Sequence, residues 1–205
     1  MPTSRPVAVC VAILCGASTA WGADDVSVAQ RAAALATERC LSCHRMNAGD
    51  NPPLVPALQG QRKAYLAWQI RAYRLGFRDD PQAHEHMWEP AGKLDDALID
   101  ALAGYFSALP PPVGTPANPA LAAKGRALYE NGVPSRNVTG CAACHGQNAE
   151  GNGVFPRLAG QRADYVVRQL MLIQRYLRNV GIMHSTVDVL SEEDFAALAA
   201  YLQSL

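Results

Sequence analysis

The 205-residue chain lacks an excess of either charge: 18 Lys and Arg balance 18 Asp and Glu. Nucleic-acid binders normally carry a basic surplus, so no nucleic-acid partner is expected. It also lacks an apolar run of the ~20 residues a membrane span needs. The longest candidate lies in "MPTSRPVAVCVAILCGASTAWGADD", where Arg5 precedes an apolar stretch from Val7 to Ala17 and small residues follow. This pattern reads as a cleaved secretory signal over residues 1–23, which implies export to the periplasm. Leu14 before Cys15 is not small, so a lipoprotein anchor is not expected. Cysteine outside two motifs is lacking as well. Of six cysteines, Cys10 and Cys15 leave with the signal, and the rest lie in "CLSCH" (40–44) and "CAACH" (141–145). Exported proteins commonly use disulfides, but none remains to join the two halves. Sustained strand alternation is absent too, which leaves helices.

What the chain does have, it has twice. "PALQGQRKAY" (56–65) matches "PRLAGQRADY" (156–165), Gln69 matches Gln169, and "LIDALAGYFSAL" (98–109) matches "DFAALAAYLQSL" (194–205). The offsets stay between 96 and 101, as a duplicated domain with small loop changes produces. Solenoid repeats are far shorter. Between the copies, "PPPVGTPANPA" is proline-rich and reads as an extended linker. The expected organisation is signal 1–23, domain 24–109, linker 110–120 and domain 121–205. Each domain is small for a self-sufficient core, and a large apolar cofactor would help fill it.

Helices are expected at Val26–Arg39, Arg62–Leu75, Leu121–Glu130 and Arg162–Leu177, and in both closing segments. Leu98, Leu102, Tyr105, Phe106 and Leu109 make one apolar stripe, and Phe195, Leu198, Tyr201, Leu202 and Leu205 make another. Ser191 with Asp194 resembles a capping box.

On a helix, Cys, Cys and His at i, i+3 and i+4 share a face. That suits covalent haem c, with thioethers from Cys40 and Cys43, then Cys141 and Cys144, and iron ligation by His44 and His145. A zinc site pooling the four cysteines would need a 100-residue gap across a proline linker. A thioredoxin-like pair would need a strand-helix-strand context. For the other iron face, the repeat selects Met87 and Met183, each 18 residues before a matched tyrosine, Tyr105 or Tyr201, and each expected in a loop. Neither His86 nor His184 recurs. Met46 is too close to His44, and Met171 sits inside an expected helix. His84 and His86 remain alternatives in the first half. Imidazole plus thioether favours Fe(II) and blocks substrate access. Pro56 and Pro156 recur after the histidines. Either each presents a carbonyl to the histidine Nδ1–H, or each is an ordinary loop proline.

"GVPSRNVTGCAACHGQNAEGNGVFPRLAGQ" and "AYRLGFR", with the two methionines, resemble the cytochrome c4 family of di-haem class I c-type cytochromes. The resemblance implies an all-α fold of two tandem cytochrome c domains related by a pseudo-two-fold axis, with haem propionates near their interface. It also implies crossed first and last helices, matched here by Gly125 and Tyr129 against Tyr201. Ala32 and Ala36 stand at those two positions in the first half. Arg45 follows "CLSCH" where Gly146 follows "CAACH", and "RYLRNVGIM" lacks the glycine-arginine pattern of "YRLGFRDD". Gln61, Arg62, Tyr65, Gln161, Arg162 and Tyr165 recur, and are candidates for propionate or interface contacts.

The expected function is single-electron transfer by two covalently bound haem c groups. A quinol-oxidising complex or dehydrogenase would donate, and a terminal oxidase or reductase would accept. Alternatives are a haem subunit of a dehydrogenase complex, or a di-haem enzyme of the peroxidase or thiosulfate-oxidising type. No obligate oligomer is inferred, and peripheral membrane contact stays open.

Overall fold

A computed structural model describes residues 21–46, 48–78 and 80–205. The expected signal segment lies outside the described residues up to position 20. Among the described residues there is no β-strand, only two isolated antiparallel bridges, Val133 with Val138 and Asn152 with Phe155.

The first half contains α1 (Trp21–Glu38), α2 (Lys63–Arg74), α3 (Pro81–His86), α4 (Trp88–Gly92) and α5 (Asp96–Ala108). The second contains α6 (Pro119–Asn131), α7 (Ala142–His145), α8 (Ala163–Gln174), α9 (Gly181–Val187) and α10 (Glu192–Ser204). Side-chain caps set several helix starts by accepting amide hydrogens that no helical carbonyl can reach. Asp95 accepts from Leu98 N–H at 2.7 Å, and Asn118 accepts from Leu121 N–H at 3.1 Å. Ser191 and Asp194 form the expected capping box. Asn118 with Pro119 at the first helical position starts α6 two residues earlier than its apolar pattern suggests.

In each half the first helix packs on the last, α1 on α5 and α6 on α10, with α2 or α8 laid against the last helix. The first core gathers Ala32, Ala36, Leu66, Ile99, Leu102 and Phe106, and the second Tyr129, Val166, Ile173, Phe195, Leu198 and Tyr201. The proline-rich stretch between them runs against both halves. Gly60 and Gly160 adopt φ of +66° and +73°, and a β-carbon at either would strike Pro111 or Pro112. Their amides donate to Phe106 O and Leu202 O at 2.9 and 2.8 Å, fixing each turn to its closing helix.

Candidate haem sites

In the second half, α7 carries Ala142 to His145, and Cys141 is its N-cap. In the first, a 3-10 turn spans Cys40–Ser42, and His44 N–H returns to Cys40 O at 2.9 Å. No disulfide joins the four motif cysteines. Burial pushes the Cys141 thiol up to about 11, and burial raises Cys40 as well. No three His, Cys, Asp or Glu side chains converge as a metal-holding group among the described residues, so the zinc alternative has no donor set.

His44 Nδ1 lies 2.9 Å from Pro56 O, and His145 Nδ1 lies 3.0 Å from Pro156 O. A carbonyl only accepts, so each Nδ1 carries the proton and each Nε2 keeps its lone pair. Burial lowers both imidazole pKa values, partly offset by those hydrogen bonds, and keeps the rings neutral. Tyr129 OH donates to Gly146 O at 2.6 Å, tying α6 to the end of the second motif. Gly146 has φ +84°, and a β-carbon there would meet the Glu150 carboxyl.

Met183, expected in a loop, lies in a helix, whereas Met87 lies outside one. Met87 sits at the junction of α3 and α4, and Met183 lies within α9. Short helices form because Asp80 caps α3 with Pro81 behind it, and because His184 holds the start of α9. Both methionines are partly buried, and Met183 packs against the second core. The rival ligands are differently disposed. His184 is saturated: Nδ1 donates to Ile173 O at 2.8 Å, Nε2 accepts from Val180 N–H at 3.3 Å, and the ring stacks on Tyr176. His84 is exposed edge-on to Trp88, and His86 is exposed beside Glu85. Met46 is exposed, and Met171 packs against the second core.

The recurring polar residues meet at the domain interface. Gln61 Nε2 donates to Arg157 O at 2.9 Å and Gln61 Oε1 accepts from Arg157 N–H at 2.6 Å. Gln161 makes the matching pair with Ala57 at 3.1 and 2.9 Å. Arg62 reaches Gly151 O, and Arg162 reaches Asn51 O. A second cluster was not legible as a unit. Arg78 and Arg178 are both buried, and each donates to the glutamine of its own half and, across the interface, to that of the other, Gln69 or Gln169. Arg178 therefore does occupy the place of Arg78. Phe77 and Arg78 N–H both donate to Ala72 O, as Leu177 and Arg178 do to Leu172 O. The second half loses the glycine of this pattern, since Tyr176 takes φ +58° where Gly76 has +71°. The shared 100-residue offset was the available signal. Arg78 pairs with Asp80 at 3.1 Å, whereas Arg178 donates to Tyr65 OH at 3.0 Å. Burial opposes Tyr65 ionisation, but the Arg178 and Arg78 charges outweigh it and hold the phenol below its usual value.

The donor set fits haem. Two thiols and an imidazole with a free Nε2 recur twice. In addition, Nε of Arg62, Arg157, Arg168 and Arg178 is buried without a partner, which a group bearing carboxylates would satisfy.

A protein-family model for cytochrome c matches residues 29–110 and again 122–205. The chain is 37% identical to cytochrome c-552 of Acidithiobacillus ferridurans, over 92% of this chain and 81% of that one. It is 36% identical to cytochrome c4 of Azotobacter vinelandii, over 91% of each. The chain belongs to the cytochrome c4 family. The solved cytochrome c4 of Acidithiobacillus ferrooxidans superposes with a TM-score of 0.76 at 39% identity, covering 81% of this chain and 98% of that one. A protein described as a thiosulfate dehydrogenase electron acceptor, from Thiomonas intermedia, is 31% identical over 98% of this chain and 91% of its own length. As a cytochrome c4 relative, the chain is an all-α di-haem electron-transfer protein with two covalently bound haem c groups.

Proposed function

We propose that Cys40 and Cys43 hold one haem and Cys141 and Cys144 the other, with iron between His44 and Met87 in the first half and between His145 and Met183 in the second. The observation that carries this is the pair of histidines, each with Nδ1 committed to a proline carbonyl and Nε2 left as a donor. The bound haem supplies a one-electron Fe(III)/Fe(II) couple. Pro56 and Pro156 hold the ring orientation and the tautomer. Met87 and Met183 would supply the thioether ligands, which would leave no substrate site at the metal, and the protein acts as a carrier without enzymatic activity of its own. The domains run 24–109 and 121–205, joined by 110–120.

Residues 1–23 direct export, and the protein works in the periplasm between respiratory donors and acceptors. No described helix is long and apolar enough to cross a membrane. A second reading, a subunit accepting electrons from a dehydrogenase, draws support from the similarity to the Thiomonas protein. Retention of a dehydrogenase through gentle purification from native membranes and extracts separates a fixed subunit from a free carrier.

Optical and EPR spectra in both redox states, with carbon monoxide added to the reduced protein, test the ligand assignment. Two low-spin haems, a Met–Fe near-infrared band for each, and no carbon monoxide binding are expected. Met87→Ala and Met183→Ala should each convert one haem to a carbon monoxide-binding form. A variant that keeps both Met–Fe signatures removes that methionine from the ligand set.

A further inference from the structure

We propose that Gln61 and Gln161 are positioning residues that act in a crossed manner: each tunes the iron of the opposite half through the peptide group that orients its histidine. The proposal rests on the reading that His44 and His145 ligate iron.

The Pro56 carbonyl that accepts from His44 Nδ1–H belongs to the same peptide group as the Ala57 amide. That amide donates to Gln161 Oε1, from the other half, at 2.9 Å. The mirror arrangement links His145 Nδ1–H, the Pro156–Arg157 peptide group and Gln61 Oε1, the last contact at 2.6 Å. Each glutamine returns a hydrogen bond from Nε2 to the next carbonyl, Ala57 O or Arg157 O. Each also accepts from the amide after it, Arg62 or Arg162. Both residues are only 6% exposed, so these contacts are shielded from water. Each glutamine oxygen thus accepts from the N–H of the very peptide group whose carbonyl accepts from a motif histidine.

Hydrogen bonds in series strengthen one another. Accepting from the peptide N–H makes its carbonyl a better acceptor, and a better acceptor at Nδ1–H makes the imidazole a stronger donor to iron. A stronger donor favours Fe(III), so each glutamine lowers the potential in the other half. The halves are not equal. Asn51 Nδ2 also donates to Pro56 O at 3.2 Å and competes with His44. No second side chain donates to Pro156 O among the described residues.

The test uses the full-length holoprotein, with the two midpoint potentials assigned to each haem by NMR of the haem methyls. Gln161→Met should raise the potential of the haem at Cys40 and Cys43 and leave the other unchanged, and Gln61→Met should do the reverse. A shift of up to about tenfold in the Fe(III)/Fe(II) equilibrium, about 59 mV for one electron, is expected. Gln161→Glu keeps the acceptor atom and should not raise the potential. Shifts confined to the mutated half, equal shifts in both halves as from simple loss of docking, or no shift overturn the proposal. His44→Ala and His145→Ala separately test the ligand reading: if either keeps two unaltered low-spin spectra, it is that reading which fails.

Discussion

Where α6 crosses α10 in the second half, Gly125 lets the two backbones touch: a β-carbon there would overlap the Ala197 carbonyl and lie 2.9 Å from Tyr201 Cβ. Tyr129 and Tyr201 then meet with ring centroids 5.5 Å apart, and Tyr129 OH reaches the second motif. Where α1 crosses α5 in the first half, two fully buried alanines, Ala32 and Ala36, fill the same positions. They bring no ring and no hydroxyl. One duplicated plan therefore supports two different ways of fastening the motif to the helix crossing. The second fastens it by aromatic packing and a hydrogen bond, and the first by small side chains in close contact. The buried arginines differ in the same manner, because Arg78 has a carboxylate partner and Arg178 has a phenol.

The largest test of that contrast is Asp80→Ala. It leaves Arg78 buried without its counter-charge and uncaps α3, at a cost of about 3–5 kcal/mol in chemical denaturation. Val180→Ala, at the matching place, should cost only about 1 kcal/mol. If the two costs are equal, the asymmetry of the arginines has no energetic meaning. Next comes Gly125→Ala, which should destabilise the second half by about 3 kcal/mol through overpacking. Ala32→Gly in the first half should cost about 1 kcal/mol, through backbone entropy. Gly76→Ala follows at about 1 kcal/mol. The space around it is open, with Trp88 3.8 Å from the added carbon, so only the positive φ is penalised.

The smallest effect is a pH dependence particular to the second half. Burial opposes the charge on Asp194, but hydrogen bonds from the Ser191 amide, Arg136 and the Ser191 side chain outweigh it and hold its pKa below the usual value. The folded carboxyl then binds a proton less readily than the unfolded one, whose pKa is about 3.9. Its stabilisation is present above that value and is lost as pH falls through the folded pKa. Asp194→Asn should flatten the loss of stability below about pH 4 in acid titrations followed by circular dichroism.

Much of this was legible in local pattern. The stripe of Phe195, Leu198, Tyr201 and Leu202 faces the core, and Ser191 with Asp194 caps the helix that carries it. The helix around Met183 is not legible in the sequence, because seven residues are too few to show a period. The equivalence of Arg178 to Arg78 is hidden in the sequence because Tyr176 stands where Gly76 does. Its left-handed backbone, ordinarily a glycine's, is accompanied by stacking on His184 and a hydrogen bond to Asp188.

The amino-acid sequence alone determined the duplication, the helical class, the two haem-attachment motifs and the matched methionines. Those depend on periods and spacings that a linear chain displays. The tertiary structure alone decided that Gln61 serves Arg157 and Gln161 serves Ala57, and that two arginines share two glutamines across the interface. The partners across the interface lie 91 to 109 residues apart. A hydrogen bond is chosen by distance and angle in space, and no local pattern encodes which distant carbonyl comes within 3 Å.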